Sequence, residues 1–596
     1  MTHSSYFNTL TSAKDGALYC AAVMLGLCYL LPNHYSPWLS VHQEMFAALA
    51  VFPLVIWSAL RFRNVPGLAI AALALSLVPL TQLLVGKVSW ASDAWMPFLY
   101  LIGFSLCLMA GARLCDIRSD DARSDPVFSA APLLAPWSGI VFAALVSVGI
   151  QVYQWLLLGN GGIYVAELPP GARPFANLAQ PNQLATLLLL GAAGVLFFWE
   201  CGKLRSAPAL VAASALVFGL VMTGSRSVLL TLVWLIPAYF LMRRRCQLLT
   251  TPLAVVFLVG LYLLLAATWG SINEALLLGG DVNTAVDRMA TPGIRSVFWS
   301  SMADAVSQMP WAGYGWGQIG TAQTITTLDY PPVFSFFDSS HNLLLDLALF
   351  NGFPIALAIA GVLVAWFCWQ IYHCRDAASF AILAAVCMVF SHALVEFPLY
   401  YAYFLLPVGL LMGALCTAHP TRVDLRLRTL PLRIVKPVVL VLSAVALALS
   451  VWVVVEYFPM EDDWRLMNFQ EARIGNIEVT QPPPALVLTG LRDFLRFSRT
   501  VAKPGISPQD LDWMRRVSER YAYASPMFRY ALAQALNSDS QGAQLTLRRL
   551  CHMQTPGACK SAKQHWVELT QDRWPQLATT PFPDIAADKA AVKAKN

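Results

Sequence analysis

Stretches of about twenty mostly apolar residues recur along this chain, and such a run is what one helical crossing of a bilayer's hydrocarbon core demands. About thirteen can be read, centred near residues 24, 51, 75, 104, 147, 191, 214, 234, 260, 355, 385, 408 and 445. Inside hydrocarbon every backbone N–H and C=O must be satisfied, so runs of this length fold as helices. Composition agrees: of 596 residues, 57% are hydrophobic and 12% charged, about half the charged share of a soluble domain. A single aqueous core is excluded as the main architecture. The formal charge of +6 is spread over short loops, which speaks against nucleic acid as a partner. Lys14 precedes an apolar run near Ala17 to Leu31. With many spans following and no small-residue cleavage site, it reads as a first span and not a removed signal peptide.

Basic residues give the topology. Arg61 and Arg63, Arg113, Arg118 and Arg123, Lys203 and Arg205, Arg243 to Arg245, Arg375, and Arg422, Arg426, Arg428 and Arg433 fall in every second loop. The positive-inside rule makes those loops cytoplasmic. The N-terminus is then inside and the C-terminal tail outside. The remaining loops face outward and hold the residues least like ordinary loop filler: Leu158 to Pro181, Thr223 to Ser227, the long Ser271 to Ser340, and His392 to Tyr403.

One outer strip, Asp338-Ser339-Ser340-His341-Asn342, turns directly into the apolar LLLDLALFNGFP, with no other His within about thirty residues on either side. It puts an imidazole at a membrane-water boundary, where a lipid-borne and a water-borne reactant can meet. Upstream, Ile294, Val297, Phe298, Met302 and Val306 recur at helical spacing, so Gly293 to Gln318 predicts an amphipathic helix that Arg295 starts and Pro310 ends. After the last span the composition becomes that of a soluble domain, residues 457–596. Ser507-Pro508 and Ser525-Pro526 each predict an N-cap followed by Pro at the first helical position, and the Ala- and Lys-rich tail after Pro581 reads as disordered. Twelve Cys show no CxxC pair. Cys551 and Cys559 alone lie in this polar tail, where an oxidising compartment would allow a disulfide across a helix-helix turn.

In order and in side, these motifs resemble the O-antigen ligase superfamily, and more closely its protein-targeting branch, the bacterial O-oligosaccharyltransferases of the PglL type. His341-Asn342, then nine residues, then Gly352 is similar to the ligase signature, although Ile355 stands where the family often has Gly, Thr or Tyr. FANLAQPNQLAT (Phe175 to Thr186) resembles the branch's Asn-Leu-Gly-Gln-Pro-Asn box, with Ala179 in place of Gly. TGSRS (223 to 227), Arg295 to Trp299 with the later PWAGYGWG, and HALVEFPLYYAYFLLP (392 to 407) also match, with Phe397 where relatives often carry Tyr. The expected fold is therefore an all-α, GT-C-like polytopic membrane protein of about thirteen transmembrane helices. Residues 1–456 form the glycosyltransferase domain, with a periplasmic loop at 271–340, and 457–596 the periplasmic helical domain.

The resemblance implies transfer of an oligosaccharide from a polyprenyl (undecaprenyl) diphosphate to Ser or Thr hydroxyls of exported, including pilin-like, proteins at a bacterial inner membrane. A departing diphosphate needs charge neutralisation more than a proton, and arginines match phosphate oxygens bidentately. Arg226, Arg295 and Arg173 are the candidates; the alternative is interfacial arginines that snorkel or hold headgroups. The acceptor hydroxyl gains from a neutral imidazole that takes its proton, so His341 is the candidate base and His392 the fallback. Gln180, Asn342, Glu396 and Tyr400 are candidates for holding glycan or acceptor. Against this, Gln180 can satisfy backbone at a span's start, and Tyr400, Tyr401 and Tyr403 fit an aromatic belt. No Asp-x-Asp lies near the outer loops and Glu461-Asp462-Asp463 reads as a solvated junction, so neither a metal nor a cofactor is expected. Ligation of glycan to lipid A core, or glycan polymerisation, would use the same donor chemistry. A lipid-linked sugar transporter would instead place charges at the bilayer midplane.

Overall fold

The computed structural model describes residues 2–61, 63–117, 128–159, 161–278, 293–427, 431–472, 474 and 481–584. Arg118, Arg123, Arg428, residues 279–292 of the long 271–340 loop, and the tail beyond 584 lie outside the described residues. The chain is an all-α polytopic membrane protein; among the described residues the sole strand-like pairing is one bridge, Asp116 to Phe128.

Helices run in the order α1 (Thr2–Leu30), α2 (Val41–Leu60), α3 (Gly67–Leu84), α4 (Ser92–Leu114), α5 (Leu134–Trp155), α6 (Pro181–Glu200), α7 (Ser206–Thr223), α8 (Arg226–Met242) and α9 (Pro252–Ala275). Then follow α10 (Ile294–Gln308), α11 (Ile319–Thr326), α12 (Leu343–His373), α13 (Ala377–Ala393), α14 (Ala402–Ala418), α15 (Arg422–Leu427) and α16 (Leu432–Glu471). The chain closes with α17 (Thr489–Arg499), α18 (Pro508–Arg520), α19 (Ala524–Leu536), α20 (Ser540–Met553) and α21 (Pro556–Asp572). Among the described residues ten helices are long and apolar enough to cross a membrane, and the shorter apolar α8, α13 and α14 fall where three further spans were expected.

The helices divide into two compact units. The first holds residues 1–75, 100–291 and 362–448. In it α1 packs on α2 and α5, and α6 on α5, α7 and α13. Without a hydrophobic drive between helices in lipid, such packing rests on close approach. At Gly139 of α5 an added Cβ would stand 2.0 Å from the Ala22 carbonyl oxygen of α1, so only glycine fits that contact.

The second unit holds residues 76–99, 292–361 and 449–596. Its C-terminal helices bury Phe497, Met514, Val517, Leu547 and Trp566 around Trp90. The Ser507 hydroxyl caps α18 by accepting from the Asp510 N–H, with Pro508 at the first helical position, as expected. Ser525-Pro526 does not open its helix: α19 starts at Ala524, with extended Tyr523 as its N-cap. Pro526 is tolerated there because first-turn N–H groups have no intrahelical partner to lose. Cys551 and Cys559 are joined by a disulfide between α20 and α21. Helix α16 is continuous through residues 456–457, where composition alone changes.

Candidate functional site

In the first unit, two of the expected arginines, Arg173 and Arg226, are brought to one turn. Gly224 takes φ +55 at the C-terminus of α7, the left-handed conformation that lets a helix stop, and α8 begins two residues later at Arg226. The Arg173 guanidinium donates to the Thr223 carbonyl at 2.7 Å, which brings the 158–181 loop onto the turn that carries Arg226. Arg226 also stands at a helix N-terminus, where amide dipoles favour an anion. The turn can thus attract an anion such as a phosphate.

The Gln-Pro-Asn box opens α6, with Gln180 extended at the N-cap and Pro181 at the first helical position. Gln180 makes no cap hydrogen bond, so the backbone-satisfying role weighed for it is not what its side chain does. Three residues further into α6 fasten the 392–403 segment. Asn182 donates to Glu396 at 2.5 Å, Thr186 meets the His392 imidazole at 2.5 Å, and the Tyr403 hydroxyl donates to Gln183 at 2.7 Å. Glu396 and His392 are both buried, and Glu396 accepts from the Asn182 amide. Tyr403 is 1% exposed, which removes it from sugar stacking. Tyr400 is half-buried in a 3-10 turn, its ring 5.8 Å from Phe397. Ala179, at the box's Gly position, has φ +56.

The second unit holds His341, Asn342 and Arg295. His341 sits at φ +57, uncommon for a residue with a side chain and a mark of a conformation imposed from outside. Asp346, one turn into α12 and 4% exposed, imposes it. Its carboxylate accepts from the Ser340 N–H at 2.7 Å and the Ser339 hydroxyl at 2.8 Å; Ser339 in turn accepts from the His341 N–H at 3.0 Å. The Trp299 indole on α10 donates to the Ser340 carbonyl at 2.7 Å. Arg295 lies one helical turn before Trp299, on the same face, so the same helix that pins the His341 strip carries the arginine. Phe337 meets the imidazole edge-on at 5.6 Å. Asn342 caps α12, its Oδ1 accepting from the Leu344 and Leu345 N–H groups.

Gly352 breaks α12 with φ +77 and ψ 170. An added Cβ there would lie 2.4 Å from the Trp311 backbone, so the signature glycine serves both a left-handed turn and a close approach. The kink is tied to PWAGYGWG by Tyr314 N–H to Leu349 C=O at 2.6 Å and Phe353 N–H to Pro310 C=O at 2.7 Å. Gln82 donates to the Phe350 carbonyl at 2.9 Å. Asp338 keeps an exposed face, yet desolvation by the surrounding chain raises its carboxyl above the usual range, opposed by Arg520. Desolvation by the surrounding chain, with Asp338 adding, pushes Tyr523 up to about 12 although the residue stays 45% exposed. Sequence reasoning missed Asp346, Ser339 and Trp299. A carboxylate inside LLLDLALF is the signal that was there to find, because an acidic group in an apolar run needs buried partners.

Comparison with known proteins covers each part of this arrangement. Residues 174–199 match a family described as "Protein glycosylation ligase", residues 209–360 "O-Antigen ligase", and residues 380–562 "Virulence factor membrane-bound polymerase, C-terminal". The chain is 29% identical over 543 residues to the "General O-oligosaccharyltransferase" of Acinetobacter baylyi, covering 88% of this chain and 90% of that protein. It is 26% identical over 410 residues to that organism's "ComP-specific O-oligosaccharyltransferase", covering 68% and 72%. Helical spans and matches together define a multi-pass membrane glycosyltransferase. The matches are consistent with the expected resemblance to the O-antigen ligase superfamily and its PglL-type O-oligosaccharyltransferase branch.

Proposed function

We propose that this enzyme transfers an oligosaccharide en bloc from an undecaprenyl diphosphate carrier to Ser or Thr hydroxyls of periplasmic, including pilin-like, proteins. The observation that carries the reading is similarity along 88% of the chain to a protein named for O-oligosaccharide transfer. The acceptor oxygen attacks the anomeric carbon, the bond from that carbon to the diphosphate oxygen breaks, and the carrier leaves as its diphosphate. His341 takes the hydroxyl proton; Arg226, Arg295 and Arg173 neutralise the leaving group. Gln180, Asn342, Glu396 and Tyr400 hold glycan or acceptor, directly or by fixing the surrounding loops. The chain works in the bacterial inner membrane, N-terminus cytoplasmic, with the site and the 457–596 domain periplasmic.

Expression with a lipid-linked glycan and a pilin-like protein tests this. The pilin should gain the glycan's mass, and His341→Ala should abolish the gain while the protein stays in the membrane. Gain of mass on lipopolysaccharide alone would make the chain an O-antigen ligase; near wild-type turnover by His341→Ala would move the base elsewhere.

A further inference from the structure

The C-terminal helices of the second unit border an open hollow of about 290 Å³, walled by the end of α17 with the chain after it, by α19, and by the end of α21. Phe528, Leu532 and Leu569 give it an apolar side, and Arg499, Arg529 and Arg573 a cationic one. The three guanidiniums are not equivalent. Arg499 is clamped on Asp463 at 2.7 and 2.9 Å and on Gln470 at 2.9 Å. Arg529 donates to the carbonyls of Phe497, at 2.8 Å, and Ser498, with Glu471 3.7 Å away. Arg573 is exposed, lies 5.5 Å over the Trp574 ring, and has no carboxylate within ion-pair reach among the described residues. Two carboxylates therefore stand against three cations, and one positive charge faces the hollow unneutralised.

A site with one open guanidinium beside an apolar wall suits a carboxylate that has an apolar neighbour. Its volume is at the low end for ligand pockets, about 300 Å³ upward, so it holds one or two residues of a chain, not a glycan. Its height argues against a lipid headgroup. The apolar part of α16 ends at Glu456, and Asp463 and Glu471, which anchor two of the arginines, lie roughly 10 and 22 Å further along that helix. We propose that this hollow receives a carboxylate-bearing residue of the acceptor polypeptide, with Arg573 taking the carboxylate and the Phe528 and Leu532 wall the neighbouring apolar side chain. The proposal rests on the reading that the acceptor is a protein.

The test reads binding, so it fails separately from glycan transfer. The full chain in detergent micelles is titrated calorimetrically with three unlabelled, N-acetylated pentapeptides that share a central Phe: one amidated with an internal Glu, one with Gln and a free C-terminal carboxylate, and one amidated with Gln. In low salt at least one carboxylate peptide should bind about tenfold or more tightly than the neutral one, the difference expected for one charged hydrogen bond. Which one binds identifies the carboxylate as side chain or chain end. Arg573→Ala should erase the difference, Arg573→Lys keep part of it, and Leu532→Trp block both. His341→Ala should bind as wild type. Equal binding of the neutral peptide, no binding below about 1 mM, indifference to Arg573→Ala, or displacement by anionic lipid vesicles would overturn the proposal. Selective binding by a chain that glycosylates no exported protein would overturn the proposed function instead.

Discussion

At the scale of single residues, Asp346 is the group on which the His341 strip depends. One carboxylate satisfies the Ser340 N–H and, through Ser339, fixes the His341 N–H. Removing it orphans buried donors at about 1 to 3 kcal/mol each, and a displacement of about 1 Å in a reacting group can cost about a hundredfold in rate. Asp346→Ala should therefore lower glycan transfer roughly 10- to 100-fold while membrane insertion is kept; unchanged turnover would show that His341 is held by other means. Ala179 offers a test of opposite sign. A side chain at φ +56 costs roughly 1 to 2 kcal/mol, while glycine's extra freedom in the unfolded chain returns about 0.4 to 1. The first effect is larger, and the exposed methyl group loses little packing, so Ala179→Gly should stabilise the protein by up to about 1.5 kcal/mol, read as a higher thermal midpoint of the purified chain.

Between elements, the fastening of α6 to the 392–403 segment is the clearest case of what sequence could and could not reveal. The apolar runs are legible because each is decided by its own length and hydropathy, and the Ser507 cap because its partner is three residues away. Hydrogen bonds from Asn182 to Glu396 or Thr186 to His392 join residues more than two hundred positions apart, and nothing local records them. The Gln-Pro-Asn box and the histidine segment could be singled out separately, but not as two halves of one contact. Gly352 is similar: its spacing from His341 was visible as a pattern, but its cause, the Trp311 backbone against it, lies on another segment. Because Thr186 and His392 are both about 1% exposed, Thr186→Val should cost roughly 1 to 3 kcal/mol by depriving the imidazole of a partner. Adding His392→Leu should cost less than the two single changes together, since an apolar pair leaves no orphan at that contact. Strict additivity in thermal unfolding would show that the pair does not interact.

In the second unit as a whole, the C-terminal helices support the chain that leads into His341. Arg520 of α18 pairs with Asp93 of α4 at 3.1 Å, and Gln318 donates to the same carboxylate at 2.8 Å. Tyr523 meets Phe336 edge-on at 4.9 Å. The His552 carbonyl accepts from the Phe334 N–H at 3.1 Å, while its Nδ1 lies 3.2 Å from the Thr327 carbonyl. His552 is fully buried and follows Cys551 directly, so the disulfide closes the end of α20 at the point where the 327–337 segment rests on it. Closing a loop of this length restricts the unfolded chain by about 2 to 3 kcal/mol. If the helices serve only as an independent module, losing the disulfide should lower stability and leave turnover intact. If they hold the His341 strip, turnover should fall too, because the 327–337 segment has lost its seat before the strip it feeds. Cys551→Ala with Cys559→Ala is therefore expected to lower the thermal midpoint and, below that midpoint, to reduce the maximal rate of transfer more than the affinity for the lipid-linked donor. A variant that unfolds earlier yet turns over at the wild-type rate would confine the disulfide to stability.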